Sequence, residues 1–154
     1  MIVVDSNVIA YCWVNGPLTA LAQSVRVKDP QWHVPIQWRS EMRSILTGYL
    51  RDRSRTAPQI AQIMQAAEDA LAGAEHLVPS PSVFEIVGKS RLSARDCEFV
   101  VLASILGVPL VTADAAILKA FPDTALTMQA FLKREGARRR KVHNSAIAQL
   151  NVAD

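Results

Sequence analysis

A chain of 154 residues, half of them hydrophobic, is one domain of ordinary size with enough apolar material to bury a core. No stretch approaches the roughly 20 apolar residues of a membrane span, the N-terminus lacks the basic start and long apolar stretch of a signal peptide, and two cysteines are too few for a disulfide framework. The net charge of +3 is uneven, since residues 1–132 carry 11 Lys/Arg against 12 Asp/Glu and residues 133–154 carry 6 against 2. A cytoplasmic protein is expected, with Cys12 and Cys97 reduced inside helices as small apolar residues.

Short strands and helices alternate along the chain. Ile2 to Asp5 is a buried strand by its β-branched content. Ser6 and Asn7 are placed to cap a helix from Val8 to Trp13, which Asn15-Gly16-Pro17 breaks. A second helix covers Leu18 to Lys28, and Trp32 to Pro35 is a strand. Gln37 to Arg51 is a helix on the spacing of Trp38, Met42, Ile45, Leu46 and Tyr49, and Ala57 to Ala72 is another, stopped by Gly73. His76 to Val78 is a weak strand and Ser82 to Lys89 a short helix.

Ser93 opens the next helix as a cap, with Asp96 three residues on, and Gly107 ends it after Leu106. Pro109 to Thr112 is a strand, Ala115 to Ala120 a helix, Thr124 to Thr127 an edge strand and Met128 to about Glu135 a helix. Such alternation implies an α/β fold with a central parallel sheet flanked by helices on both faces. Residues 1–136 are read as the domain and residues 137–154 as a basic C-terminal extension.

Four carboxylates carry the functional reading. Asp5 ends the run Ile2-Val3-Val4 and Asp114 follows Leu110-Val111-Thr112-Ala113, so both fall at the carboxyl ends of strands, where parallel sheets bind ligands. Asp96 shares a helical stripe with Phe99, Val100 and Ala103 and faces inward, while Glu41 lies beside the apolar face of its helix. Acids so placed are costly unless something positive neutralises them. An oxygen-rich pocket suits Mg²⁺ or Mn²⁺; Asn7 and Thr112 could orient the ligating carboxylates by hydrogen bonds. Zinc spacing is absent, with His33, His76 and His143 scattered. The chemistry implied is hydrolysis of a phosphodiester by metal-activated water.

Each acid also has a plain structural role open to it. Asp5 and Asp114 could serve as turn or cap residues, Asp96 as a capping-box acid, and Glu41 as a solvated flank. Four in this order are hard to explain that way. Arg51, Arg53 and Arg55 follow the Glu41 helix and could hold a substrate backbone; Arg138, Arg139, Arg140 and Lys141 could bind nucleic-acid phosphate, form a solvated end or form a helix held by a partner.

The string Ile2-Val3-Val4-Asp5-Ser6-Asn7-Val8 resembles the opening of a PIN domain. So do Ser40-Glu41-Met42, Ser93-Ala94-Arg95-Asp96 followed by Val101-Leu102-Ala103, and Leu110-Val111-Thr112-Ala113-Asp114. Their order and spacing are similar to those of the VapC ribonucleases of bacterial toxin–antitoxin pairs, over roughly residues 1–132. The resemblance implies a parallel sheet flanked by helices, Mg²⁺ or Mn²⁺ held by Asp5, Glu41, Asp96 and Asp114, and cleavage of a transfer or ribosomal RNA. It also implies a homodimer and a small antitoxin that wraps the toxin and blocks its site. The chain departs from the pattern at Ala115 and Ala116, where many relatives carry an acidic or polar residue that bears on a second metal.

Other classes place an Asp after a first strand. A haloacid-dehalogenase-type phosphatase wants a second Asp at position 7, which is Asn, and a receiver domain wants paired N-terminal acids and a late lysine that are not here. A catalytically silent PIN-like module that binds RNA or protein, or a different metal-dependent phosphatase, is the alternative reading.

Overall fold

The computed structural model describes residues 1–134. Five strands form one all-parallel sheet: β1 (Ile2–Val4), β2 (Trp32–Pro35), β3 (Glu75–His76), β4 (Leu110–Val111) and β5 (Ala125–Leu126). Their order across the sheet is β3-β2-β1-β4-β5. The helices are α1 (Ser6–Trp13), α2 (Thr19–Lys28), α3 (Trp38–Arg51), α4 (Ala57–Ala70), α5 (Ser80–Lys89), α6 (Ala94–Leu106), α7 (Ala115–Ala120) and α8 (Met128–Lys133).

Strand β1 sits at the centre because its three residues are apolar on both faces, and all three are buried. It pairs with β2 in the register Ile2↔Trp32 and with β4 in the register Val3↔Leu110 and Val4↔Val111. The chain steps from β1 through β2 to β3 in one direction, then returns across the sheet to β4 and β5. Right-handed crossovers therefore put α1 to α4 on one face and α5 to α7 on the other. Packing of α1 against α2, α3 and α4, of α5 against α6, and of α6 against β1, β2 and β4 agrees with this arrangement. The reversal of strand order falls between β1 and β4, and the carboxyl ends of those two strands are where a parallel sheet forms its ligand crevice.

Local chemistry accounts for the boundaries. Helix α3 turns Trp38, Met42 and Leu46 into the core at a four-residue spacing. A capping box of Thr56 and Gln59 starts α4, and one of Ser93 and Asp96 starts α6. Helix α6 is long and apolar because it crosses the sheet face, burying Phe99, Val100 and Ala103. Gly107 ends it in the left-handed conformation (φ 63°), which a residue without Cβ adopts freely.

Most elements are a residue or two shorter than expected at one end or both, and three boundaries differ for a specific physical reason. Helix α1 begins at Ser6, with Asp5 at its N-cap and no side-chain cap bond, because Ser6 and Asn7 are engaged elsewhere. Strand β3 ends at His76, where pairing with Val34 and Pro35 stops, so Val78 is left to pack without it. Helix α5 begins at Ser80 because Pro81 fits its first turn. Cys12 and Cys97 are buried free thiols within α1 and α6. Among the described residues no helix is long and apolar enough to cross a membrane.

Candidate active site

Asp5 is the pivot of the crevice. It follows the central strand, its backbone N–H donates to Val111 O at 3.0 Å, and only 7% of its surface is exposed. Its Oδ2 accepts from Thr112 Oγ1 at 2.5 Å and from Asn7 Nδ2 at 3.0 Å. The same hydroxyl accepts the backbone N–H of Asp114 at 2.9 Å, and Asn7 Oδ1 accepts the N–H of Ala113 at 3.2 Å. Thr112 and Asn7 thus stitch the end of β1 to the end of β4, fixing both acids relative to each other.

No cation accompanies Asp5 among the described residues. Burial is the main reason its pKa is pushed up to about 6. The Thr112 hydrogen bond opposes the rise, and the charges of Glu41 and Asp114 add to it. Glu41 stands on the first turn of α3, where Ser6 Oγ donates to its Oε2 at 2.7 Å. Burial raises its pKa also; Ser6 and Arg95 pull the other way, while Asp96 and Glu98 push it further up. The structure therefore brings Glu41 and Asp114 each within electrostatic reach of Asp5, and Asp96 within reach of Glu41.

Two of the acids are turned to their own helices. Asp114 caps α7, its Oδ1 accepting the N–H groups of Ala116 at 2.7 Å and Ile117 at 3.1 Å, and its Oδ2 has no partner among the described residues. Asp96 Oδ2 accepts from Ser93 Oγ at 2.6 Å within the capping box. The capping roles foreseen for both are real, while Asp114 still acts on Asp5 and Asp96 on Glu41. Among the described residues no three Asp, Glu, His or Cys side chains are grouped tightly enough to hold one ion.

The donor set nevertheless fits a hard divalent cation. All its members are oxygens, the central one is buried without a positive partner, and two neighbouring acids make its ionisation harder still. A cation is the group whose charge would reverse each of these costs.

The arginines divide differently. Arg51 closes the helix whose first turn holds Glu41, so at about 1.5 Å rise per residue the two are separated by roughly 15 Å along the axis. Arg55 lines a cleft of about 330 Å³ with Trp13, Gln59 and Gln62, and Arg53 turns between the two with a positive φ of 60°. The trio is near Glu41 in sequence and at the other end of its helix in space. Arg138, Arg139, Arg140 and Lys141 lie outside the described residues.

Three features escaped the sequence reading. Ser6, whose position suits a helix cap or a functional role, holds Glu41, a partner the sequence does not name. Glu98 is a further acid near Glu41, itself raised by burial; its place two residues after Asp96 was the available signal. His33 and His76, far apart in sequence, meet across β2 and β3 with Nδ1 and Nε2 2.8 Å apart, though no third ligand joins them among the described residues.

No protein-family model matches this chain, and no curated protein does.

Proposed function

We propose that the protein is a metal-dependent endoribonuclease of the PIN type, hydrolysing RNA phosphodiester bonds with Asp5, Glu41, Asp96 and Asp114 as its metal-holding carboxylates. The observation that carries this reading is a buried Asp5 with no cation of its own, facing Glu41 and Asp114 at the topological switch point of a parallel sheet. A Mg²⁺ or Mn²⁺ ion bound there supplies Lewis-acid polarisation of the phosphate and a nucleophile at neutral pH.

The chain's own residues do the rest. Thr112 and Asn7 hold Asp5 in one rotamer and leave it ready to ligate. Ser6 holds Glu41 across the crevice. Asp114 keeps its second oxygen free while the first is anchored to α7. The motif order motivates the finer proposal: a VapC-like toxin that cuts transfer or ribosomal RNA and so inhibits translation. That toxin would act as a homodimer in the cytoplasm and be blocked by a small cognate antitoxin.

The test is cleavage of total cellular RNA by the purified protein with Mg²⁺ or Mn²⁺, and with EDTA, using Asp5→Ala as control. Discrete fragments that need metal and vanish in the variant support the reading. Metal binding without cleavage would redirect it to another phosphate substrate. Neither binding nor cleavage would overturn it.

A further inference from the structure

We propose that Arg95 is the side chain that grips the RNA backbone at the mouth of the carboxylate crevice, a positioning role that rests on the ribonuclease reading above. A polyanion approaching this crevice meets Asp5, Glu41, Asp96, Asp114 and, beside Glu41, Glu98. Bound metal offsets part of that repulsion, and a fixed cation at the rim must hold the phosphate that is not being attacked.

The described cations can be sorted by what they already do, though Arg91, Lys119, Lys133 and Arg134, like Arg95, make no ion pair among the described residues. Arg39 is spent on Glu75 and Glu68, Arg43 reaches Glu68, and Lys89 pairs with Glu85. Lys28 donates to carbonyls at the end of α8, and Arg26 lies over Trp13 and Trp32. Arg51, Arg53 and Arg55 stand at the far end of α3. Arg95 is exposed, in the first turn of α6 beside Asp96, and its guanidinium makes no ion pair among the described residues.

Its location is fixed by the backbone. Gln37 Nε2 donates to the carbonyl of Arg95 at 2.7 Å, tying the start of α6 to the start of α3. The stripe Gln37–Glu41 on α3 therefore faces the stripe Arg95–Glu98 on α6. Among the described residues Arg95 is the cation whose charge acts on Glu41, and none acts on Asp5. A guanidinium with all its donors free, held beside the acids yet bound to none, has the planar fork that grips phosphate.

The experiment measures binding of a fluorescent single-stranded RNA oligonucleotide to the full chain in EDTA across a salt series, together with kcat and KM for metal-dependent cleavage. Arg95→Ala should weaken binding roughly tenfold and flatten the slope of log K against log salt by about 0.7. It should raise KM more than it lowers kcat. Arg95→Lys should restore the slope, because it keeps the charge. Lys89→Ala, an equal loss of charge at an exposed ion pair, should change neither quantity. An Arg95→Ala chain with unchanged slope and KM overturns the proposal and leaves the ribonuclease reading standing. A shifted Mn²⁺ affinity with an unchanged slope also overturns it, showing Arg95 to be only a countercharge for Glu41. A wild-type chain that binds the oligonucleotide but never cleaves it sinks the ribonuclease reading, and the slope of the variant still decides Arg95.

Discussion

Two half-hidden groups of acids in this molecule are built in opposite ways. Glu75, at the start of β3, accepts Arg39 Nε at 2.6 Å, Arg39 Nη2 at 3.0 Å and Trp38 Nε1 at 2.6 Å. Glu68 takes the remaining arm of Arg39 at 2.6 Å. The Arg39 hydrogen bond, with help from Trp38, holds the Glu75 carboxyl below its usual range. Asp5 and Glu41 lie in the crevice with only hydroxyl and amide donors, and burial holds both above theirs. An acid that serves the fold brings its cation with it. The crevice acids come without one and bear that cost in the folded protein, which is where function is sought.

The largest way to break the contrast is Asp5→Asn. It should lower metal-dependent RNA cleavage by more than the roughly 100-fold typical for losing a mere support to a metal ligand. It should also abolish the stabilisation that Mn²⁺ gives the wild type in a thermal melt. Residual cleavage within tenfold of wild type would remove Asp5 from the site.

Stability against pH sharpens the same point with opposite signs. In metal-free protein Asp5 holds its proton to about pH 6, against an ordinary value of 3.8. Its stabilising contribution is complete below about pH 4 and is lost as pH rises through 6, about 3 kcal/mol in all. Asp5→Asn should therefore be the more stable protein in EDTA at pH 8, with the difference fading in acid. Glu75 has a lowered pKa, so its contribution is present at neutral pH and lost as pH falls through the folded value. Glu75→Gln should cost about 1–3 kcal/mol at pH 7 and little at low pH. Urea melts from about pH 2 to 8 read both; equal slopes for the two variants would erase the comparison.

Thr112→Val is a smaller test. Thr112 is fully buried and its hydroxyl serves both Asp5 and the Asp114 backbone. Val keeps the shape and removes the hydrogen bonds, so metal affinity should fall about 10–100-fold and the pH for half-maximal metal binding should rise. Calorimetric titration with Mn²⁺ at two pH values measures both shifts.

Much of this was legible in the residues. The β-branched run at Ile2–Val4, the stripe of Trp38, Met42 and Leu46, and the glycine after Leu106 each encode local structure in local chemistry, and their elements lie where that chemistry puts them. Asp5 and Asp114 could be placed at strand ends for the same reason. What the chain order hides is pairing between distant segments. Nothing near Ser6 announces a partner at position 41, and nothing near Arg95 announces Gln37. The trio Arg51, Arg53 and Arg55 shows the converse: adjacency to Glu41 along the chain becomes separation once the intervening turns are wound into α3.

The finest comparison deletes one neutral donor from each group. Ser6→Ala removes the hydroxyl on Glu41 Oε2, and Trp38→Phe removes the indole N–H on Glu75 Oε1. Glu75 keeps both Arg39 contacts, but the fully buried Trp38 also gives up ring volume, so Trp38→Phe should cost about 2–4 kcal/mol of stability and leave cleavage unchanged. Glu41 loses its nearest support and has no cation in contact, so its pKa should rise further. Below that raised value the glutamate is protonated and binds metal poorly, so Ser6→Ala should lower cleavage by up to about tenfold, most at acid pH and least at alkaline pH. Stability should change little, because the bond being lost favours a charge that burial opposes. A loss of activity equal at every pH would mean that Ser6 shapes the crevice without holding Glu41. A Trp38→Phe enzyme with the same pH-dependent loss would mean that the two groups of acids are one.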